Sequence, residues 1–330
     1  MDTVEGGAPR IGGRRTPRLR QRAAWMYYVE EMTQSAIAEA LGVGRITVVR
    51  LLSEARAMNE VRISLSRDVA ELGRLEIEMQ KAFGIPEVIV APLSSPESDP
   101  RSVIAAATGE YVSSILAPNM KLGLGWGETL NRVLGYVSER SVPGLSVVSL
   151  LGGITHAKVA NPAEFAWQFA RTFMAECYLL AAPAIVDSAA TKQTLIERCG
   201  LKLVYDFARN LDVILLGVGA LAPKTTNFYG IIRDEDQRSL MRAGAIGDAL
   251  YNFFDSNGEL VDHPLNERSM SIPVAQLLKA KTRIVASGGA HKTDAMIGAF
   301  RLLKPTVLVT DEETVKALLS RKGVKSASAR

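Results

Sequence analysis

Four stretches of this 330-residue chain have the residue types and spacing to hold a small polar molecule. Gly125-Trp126-Gly127-Glu128-Thr129 follows an apolar run and opens a helical stretch. Glycines there let backbone N–H groups point at an anion, the helix dipole favours it, and Thr129 adds a hydroxyl. Gly152-Gly153, after the next apolar run, would bring a second length of bare backbone close to a ligand. Asp255 could accept hydrogen bonds from hydroxyl groups, although an acid before Asn-Gly also builds turns. Lys292 follows Gly288-Gly289 at a helix start, where a cation gains nothing from the dipole, so an anionic ligand explains it better. Glu128 argues the other way: on an anion-binding loop its carboxylate repels a dianion unless it turns outward, which leaves an uncharged ligand open.

Other chemistries find little support. Cys177 and Cys199 are the only cysteines, which excludes a disulfide framework and reads as two free thiols. His156, His263 and His291 are scattered, with no Cys or His at metal-ligand spacing, so no metal and no cofactor is expected. No apolar run reaches the roughly 18–20 residues of a membrane helix, and the start of the chain lacks the apolar core of a secretory signal. A cytoplasmic protein without a membrane partner is the expectation.

A second kind of chemistry is written in 34–56, QSAIAEALGVGRITVVRLLSEAR. Two helices meeting steeply need a small residue at the crossing, supplied by Ala38, and a turn residue tolerant of positive φ, supplied by Gly42. At about 100° per residue, Val48, Leu51, Leu52 and Ala55 share the core-facing arc of the second helix. Arg45, Ile46, Val49 and Arg50 share the opposite arc, and Thr47 lies between. A helix entering the major groove reads base edges with its amino-terminal residues, and Arg is the usual partner of guanine. Arg45 and Arg50 are therefore candidates for direct readout with Ile46 and Val49 beside them, and Gln34 and Thr47 are candidates for phosphate contacts. Charge agrees: residues 1–66 carry ten arginines, no lysine and seven acids, hence +3 of the net charge of +4. Double-stranded DNA is the implied partner.

The elements that must position these residues follow from hydrophobic periodicity. Residues 1–16, rich in Gly, Arg and Pro, read as a disordered basic tail, and 17–66 as a winged helix-turn-helix domain whose wing stub is the alternating run 61–65. Residues 67–84 read as a linker and oligomerisation helix with one apolar side, and 85–330 as the ligand-binding domain. In that domain, apolar runs at 87–91, 121–125, 146–151, 178–182, 212–217, 283–286 and 306–309 alternate with helical stretches at 102–116, 128–137, 162–173, 190–199 and 293–303. Such alternation predicts an α/β doubly wound, mostly parallel open sheet behind a small all-α domain, with the ligand at the carboxyl ends of the strands.

Taken in order, the motifs identify a resemblance. The helix-turn-helix running into 55–63, LGLGWGETL (122–130), LLGGI (150–154), NPAEF (161–165), LLGVGAL (215–221), GAIGDALYNFFDSNG (244–258), ASGGAHKTDAM (286–296) and VLVTDEETV (307–315) together resemble the SorC family of sugar-binding transcriptional regulators. The resemblance spans roughly residues 20–322. It implies an effector domain similar to sugar-phosphate isomerases and deaminases, whose loop matching 125–129 cradles a phosphate, and an effector-site role for Lys292. It also implies a dimer or tetramer and an effector that is a sugar, a polyol or a sugar phosphate. Two positions depart from the pattern: Gly44 stands where a serine usually caps the recognition helix, and Met58-Asn59 replaces a Gly-bearing turn. The competing class is an active isomerase or deaminase on the same fold. Isomerisation needs a carboxylate base over the sugar carbons, and Leu216-Gly217-Val218-Gly219-Ala220-Leu221 holds no acid where those enzymes carry one. Lys158 could form an imine with an aldehyde sugar, but nothing in the sequence indicates the lowered pKa this needs. The expectation is a regulator, not an enzyme.

Overall fold

The computed structural model describes residues 15–58, 60–61, 69–155, 161–221 and 231–323. The chain divides into two compact units, Met1–Leu65 and Ser66–Arg330.

The first unit is built on three helices, α1 (Arg15–Tyr28), α2 (Gln34–Leu41) and α3 (Arg45–Ala57). Thr33 starts α2 by accepting the Ala36 N–H at 3.2 Å, one of the donors that a helix start leaves unpaired. Gly42, at φ 64°, ends it in the left-handed conformation and lets the Val43 N–H return to the Ala38 carbonyl at 2.9 Å. Gly44 precedes α3 without a side-chain cap. Ala23 and Met26 of α1, Ile37 and Ala38 of α2, and Val48, Leu51, Leu52 and Ala55 of α3 form one small core. Arg20 of α1 is buried and donates twice to Glu60, at 2.6 Å each, which ties the chain after α3 back to the first helix. The expected wing at 61–65 and the turn at Asn59 lie outside the described residues, apart from Val61.

The second unit begins with α4 (Val69–Phe83) and contains β1 (Glu87–Ala91), β2 (Lys121–Leu124), β3 (Ser146–Ser149), β4 (Glu176–Tyr178), β5 (Val213–Leu216), β6 (Gly219–Ala220), β7 (Gly247–Ala249), β8 (Asn252–Phe254), β9 (Thr282–Ala286) and β10 (Val307–Asp311). Seven strands make one parallel sheet in the order β1-β10-β9-β5-β2-β3-β4. Its strands read as continuous apolar runs because both faces are covered. Val88, Ile214, Leu216, Val285 and Leu308 feed one core, while Ile89, Val213, Leu215, Ile284 and Val309 feed the other.

Four features differ from the periodicity reading, the first being the strand expected over 178–182, which runs over Glu176–Tyr178 instead. The apolar side of α4 lies within its own unit, where Leu72, Leu75 and Met79 join the core on one face of the sheet, while Ile77 is exposed. The helix expected over 128–137 stops at Val133, because Gly135 and Tyr136 close i to i−3 turns instead. β6, β7 and β8 form a small antiparallel sheet that the sequence did not announce, since strands of two or three residues are too short to show a period.

Candidate effector site

The first loop of the site follows β2. Gly125 packs against β5, donating its N–H to the Leu215 carbonyl at 2.8 Å, and a Cβ there would lie 3.0 Å from that oxygen. Gly127 has φ 136°, a conformation side chains rarely adopt. The turn opens a cavity of about 560 Å³ at the carboxyl ends of β2, β5 and β9, within the usual range of small-molecule sites. Adjacent central strands of a doubly wound sheet are where such sites form.

Four of the eight expected ligand residues line this cavity: Trp126, Gly127, Thr129 and Lys292. Trp126 is half-buried and packs on Tyr251, with ring centroids 5.4 Å apart. Lys292 closes a short 3-10 turn before the helix Thr293–Leu303, and its Nζ donates to the Val218 carbonyl at 3.2 Å. Desolvation lowers its pKa, opposed by the nearby Asp248 carboxylate. The loop holding it is fixed from behind, where the Gly289 N–H donates to Thr314 Oγ1 at 2.6 Å and to Asp311 Oδ2 at 3.3 Å.

The other four are elsewhere. Gly125 is the packing glycine just described, outside the lining. Gly152 and Gly153 join the end of β3 to neighbouring backbone, their N–H groups donating to Met270 and Ala182 carbonyls at 2.9 and 2.8 Å. Asp255 requires a correction. Its carboxylate accepts the Asn257 and Glu259 N–H groups, each at 2.9 Å, and these bonds hold its pKa low. It builds the turn after β8, away from the cavity lining. Lys158 lies outside the described residues.

The structure adds residues that periodicity did not find. Asp248 of β7 is only 7% exposed and lines the cavity. Burial pushes its pKa up to about 6, against the pull of the Tyr251 N–H, which it accepts at 3.1 Å, and of Lys292. It presses on the loop after β5, where a Cβ on Gly219 would collide with Asp248 Oδ1. The observation that 216–221 holds no acid is therefore true of that loop and not of the cavity. The signal was a single carboxylate inside the apolar run 245–254. The β7–β8 turn places Leu250 and Tyr251 at φ 56° and 55°, and Leu250 also lines the cavity. Arg101, at the start of the helix Arg101–Ile115, ion-pairs with Glu128 and bonds Asp99 at 2.8 Å. Arg132 approaches Asp99 at 3.3 Å, and the two arginines hold the Asp99 carboxyl below its ordinary pKa, Arg101 more strongly.

In the first unit, Arg45, Ile46, Val49 and Arg50 are exposed on one arc of α3, and Thr47 and Gln34 are half-buried. Arg50 lies 3.7 Å from Glu54 one turn on.

A family model described as "Putative sugar-binding domain" matches residues 67–320, most of the chain. The chain belongs to the SorC family of sugar-binding transcriptional regulators. It is 29% identical over 307 residues to the erythritol catabolism regulatory protein EryD of Brucella abortus, covering 92% of this chain and 96% of that one. It is 26% identical over 311 residues to the deoxyribonucleoside regulator of Bacillus subtilis, covering 93% and 99%. The full-length sorbitol operon regulator SorC of Klebsiella pneumoniae superposes with a TM-score of 0.69 at 29% identity, over 92% of this chain and 98% of that structure. As a SorC-family member the chain is a transcription regulator controlled through a sugar-binding domain, and not an enzyme. Asp248 and Lys292 both line the cavity. Among the described residues no helix is long and apolar enough to cross a membrane, and no three acidic, His or Cys groups gather as a metal site.

Proposed function

We propose that α2 and α3 form a helix-turn-helix that binds double-stranded operator DNA, and that the cavity after β2, β5 and β9 binds the sugar-type effector that controls a carbohydrate-metabolism operon. Arg45, Ile46, Val49 and Arg50 face the base edges, while Gln34 and Thr47 fix the register on phosphates. One observation carries the DNA reading: Ile46 is 87% exposed and Val49 45% exposed, flanked by Arg45 and Arg50. Apolar side chains left in water beside arginines suit a groove in which thymine methyls and guanine edges alternate. The effector site comprises Trp126, Gly127, Thr129, Asp248 and Lys292. The working divisions are a basic tail up to the start of α1, the DNA-binding domain from there to 66, α4 with its flanks over 67–84, and the effector domain 85–330. Two-fold operators require at least a dimer of this chain, and a tetramer satisfies the same symmetry.

Selection of bound duplexes from a random pool, followed by gel shift with and without a panel of sugars, polyols and their phosphates, tests this reading. A preferred sequence whose affinity changes with one of them is expected. Absence of any preferred duplex under every condition overturns it.

A further inference from the structure

We propose that the effector of this chain is an uncharged polyhydroxylated molecule, a polyol or unphosphorylated sugar, bound in preference to its phosphate ester. The proposal deepens the effector reading of the cavity and rests on it.

The cavity's own charges carry the inference. Its described lining includes three acidic side chains, Asp99, Glu128 and Asp248, against two basic ones, Arg101 and Lys292. His291 also lines it, and burial together with Lys292 and Arg101 lowers its pKa, which favours the neutral ring near pH 7. A bound phosphate dianion needs cationic or N–H donors committed to it, because a desolvated charge without partners is costly. The guanidinium of Arg101 is already shared between Glu128 and Asp99. Lys292 feels the attraction of the Asp248 carboxylate and donates to a backbone carbonyl.

Position matters as much as count. The loop that would cradle a phosphate leads into the helix Glu128–Val133, six residues long, and the first side chain of that helix is the Glu128 carboxylate. The favourable end of the dipole has an acid of the chain's own, and that acid draws the nearby arginine to itself. A dianion bound here would share the cavity with the Glu128 carboxylate.

Hydroxyl groups fit what is left. Each donates and accepts, so a row of them can bridge an acceptor such as Asp248 to a donor such as Lys292. The Thr129 hydroxyl extends the row, and the half-buried Trp126 ring offers an apolar face to the C–H side of a carbon chain. None of these contacts requires the ligand to bring a charge.

The test uses the full-length protein and calorimetric titration with erythritol, ribitol, sorbitol, ribose and fructose, each against its own terminal monophosphate. At least one uncharged member is expected to bind about tenfold or more tighter than its phosphate. A phosphate that binds tighter than its parent overturns the inference and leaves the effector reading standing. No saturable binding by any member overturns both. Glu128→Gln and Glu128→Arg, each first shown to melt cooperatively, should shift the preference stepwise towards the phosphate. An unchanged ratio in both removes Glu128 as the determinant and overturns the proposal.

Discussion

Asp248 offers the sharpest test of the cavity's physics. Its carboxyl titrates at about 6 in the folded chain against an ordinary value of 3.8, chiefly because burial disfavours the anion. The folded state therefore holds this proton more tightly than the unfolded state. The stability so gained is fully present below about pH 4 and is lost as pH rises through 6. A displacement of about two pH units at about 1.4 kcal/mol each is worth about 3 kcal/mol. Asp248→Asn keeps an acceptor for the Tyr251 N–H and removes the titration. Melting temperatures of wild type and variant, measured from about pH 4.5 to about pH 7.5, should diverge in favour of the variant as pH rises, by roughly 4–8 °C across the range, since about 2 kcal/mol of the total falls within it. Loss of the Lys292 partner adds an offset, so the change with pH, rather than the gap at one pH, is the readout. Parallel curves would show that the carboxyl is hydrated or compensated and would refute the burial reasoning.

The remaining expectations concern glycines, the groove helix and the lysine. A Cβ on Gly152 would meet the Ala182 and Pro183 carbonyls at 2.6 and 2.8 Å, whereas on Gly153 the nearest atom is 3.6 Å away. Gly152→Ala should cost roughly 1–3 kcal/mol in urea unfolding and Gly153→Ala under about 0.5 kcal/mol; equal effects would contradict the geometry. Arg50→Ala should weaken operator binding in a gel shift by about 1–3 kcal/mol and flatten discrimination at one base position. Its exposed pair with Glu54 contributes little, so the melting temperature should hold. Lys292→Met should abolish effector-induced thermal stabilisation while leaving effector-free operator affinity in place, and a retained shift in melting temperature would remove the lysine from the site.

Long elements were legible in the sequence because each shows its period several times over. The pattern Val48, Leu51, Leu52, Ala55 marked the buried arc of α3, and the β1 run matches Glu87–Ala91 end for end. Four of the residues that line the cavity stood out in the sequence for a different reason: Gly127 and Lys292, for example, break local rules of conformation and charge, and rule-breaking residues concentrate at sites. Asp255 breaks a similar rule for a purely structural end, since an acid before Asn-Gly is as good a turn builder as a ligand. Asp248 and Arg101 were illegible because their importance lies in tertiary neighbours. The acid sits on a three-residue strand, and the arginine reaches Glu128 across 27 positions of chain. Periodicity carries no information about such pairs.

A carboxylate forced towards neutrality beside a desolvated lysine is what an enzyme arranges for proton transfer. On the proposed reading the same pair serves recognition, because what perturbs both groups is missing solvation, and a ligand's hydroxyls can supply it. A hydroxyl donating to Asp248 stabilises the ionised form, and one accepting from Lys292 stabilises the protonated form. Each restores some of what burial removed. By linkage, a ligand that favours the Asp248 anion must bind more tightly as pH rises through about 6, and must release a proton when it binds below that value. The apo site is thus held at a higher free energy by its own charges, and that excess is available to make affinity depend on hydroxyl geometry. Catalysis of isomerisation would need the carboxylate to take a proton from one substrate carbon and return it to the next. Selective binding needs only that the two charges be better solvated by the right polyol than by water.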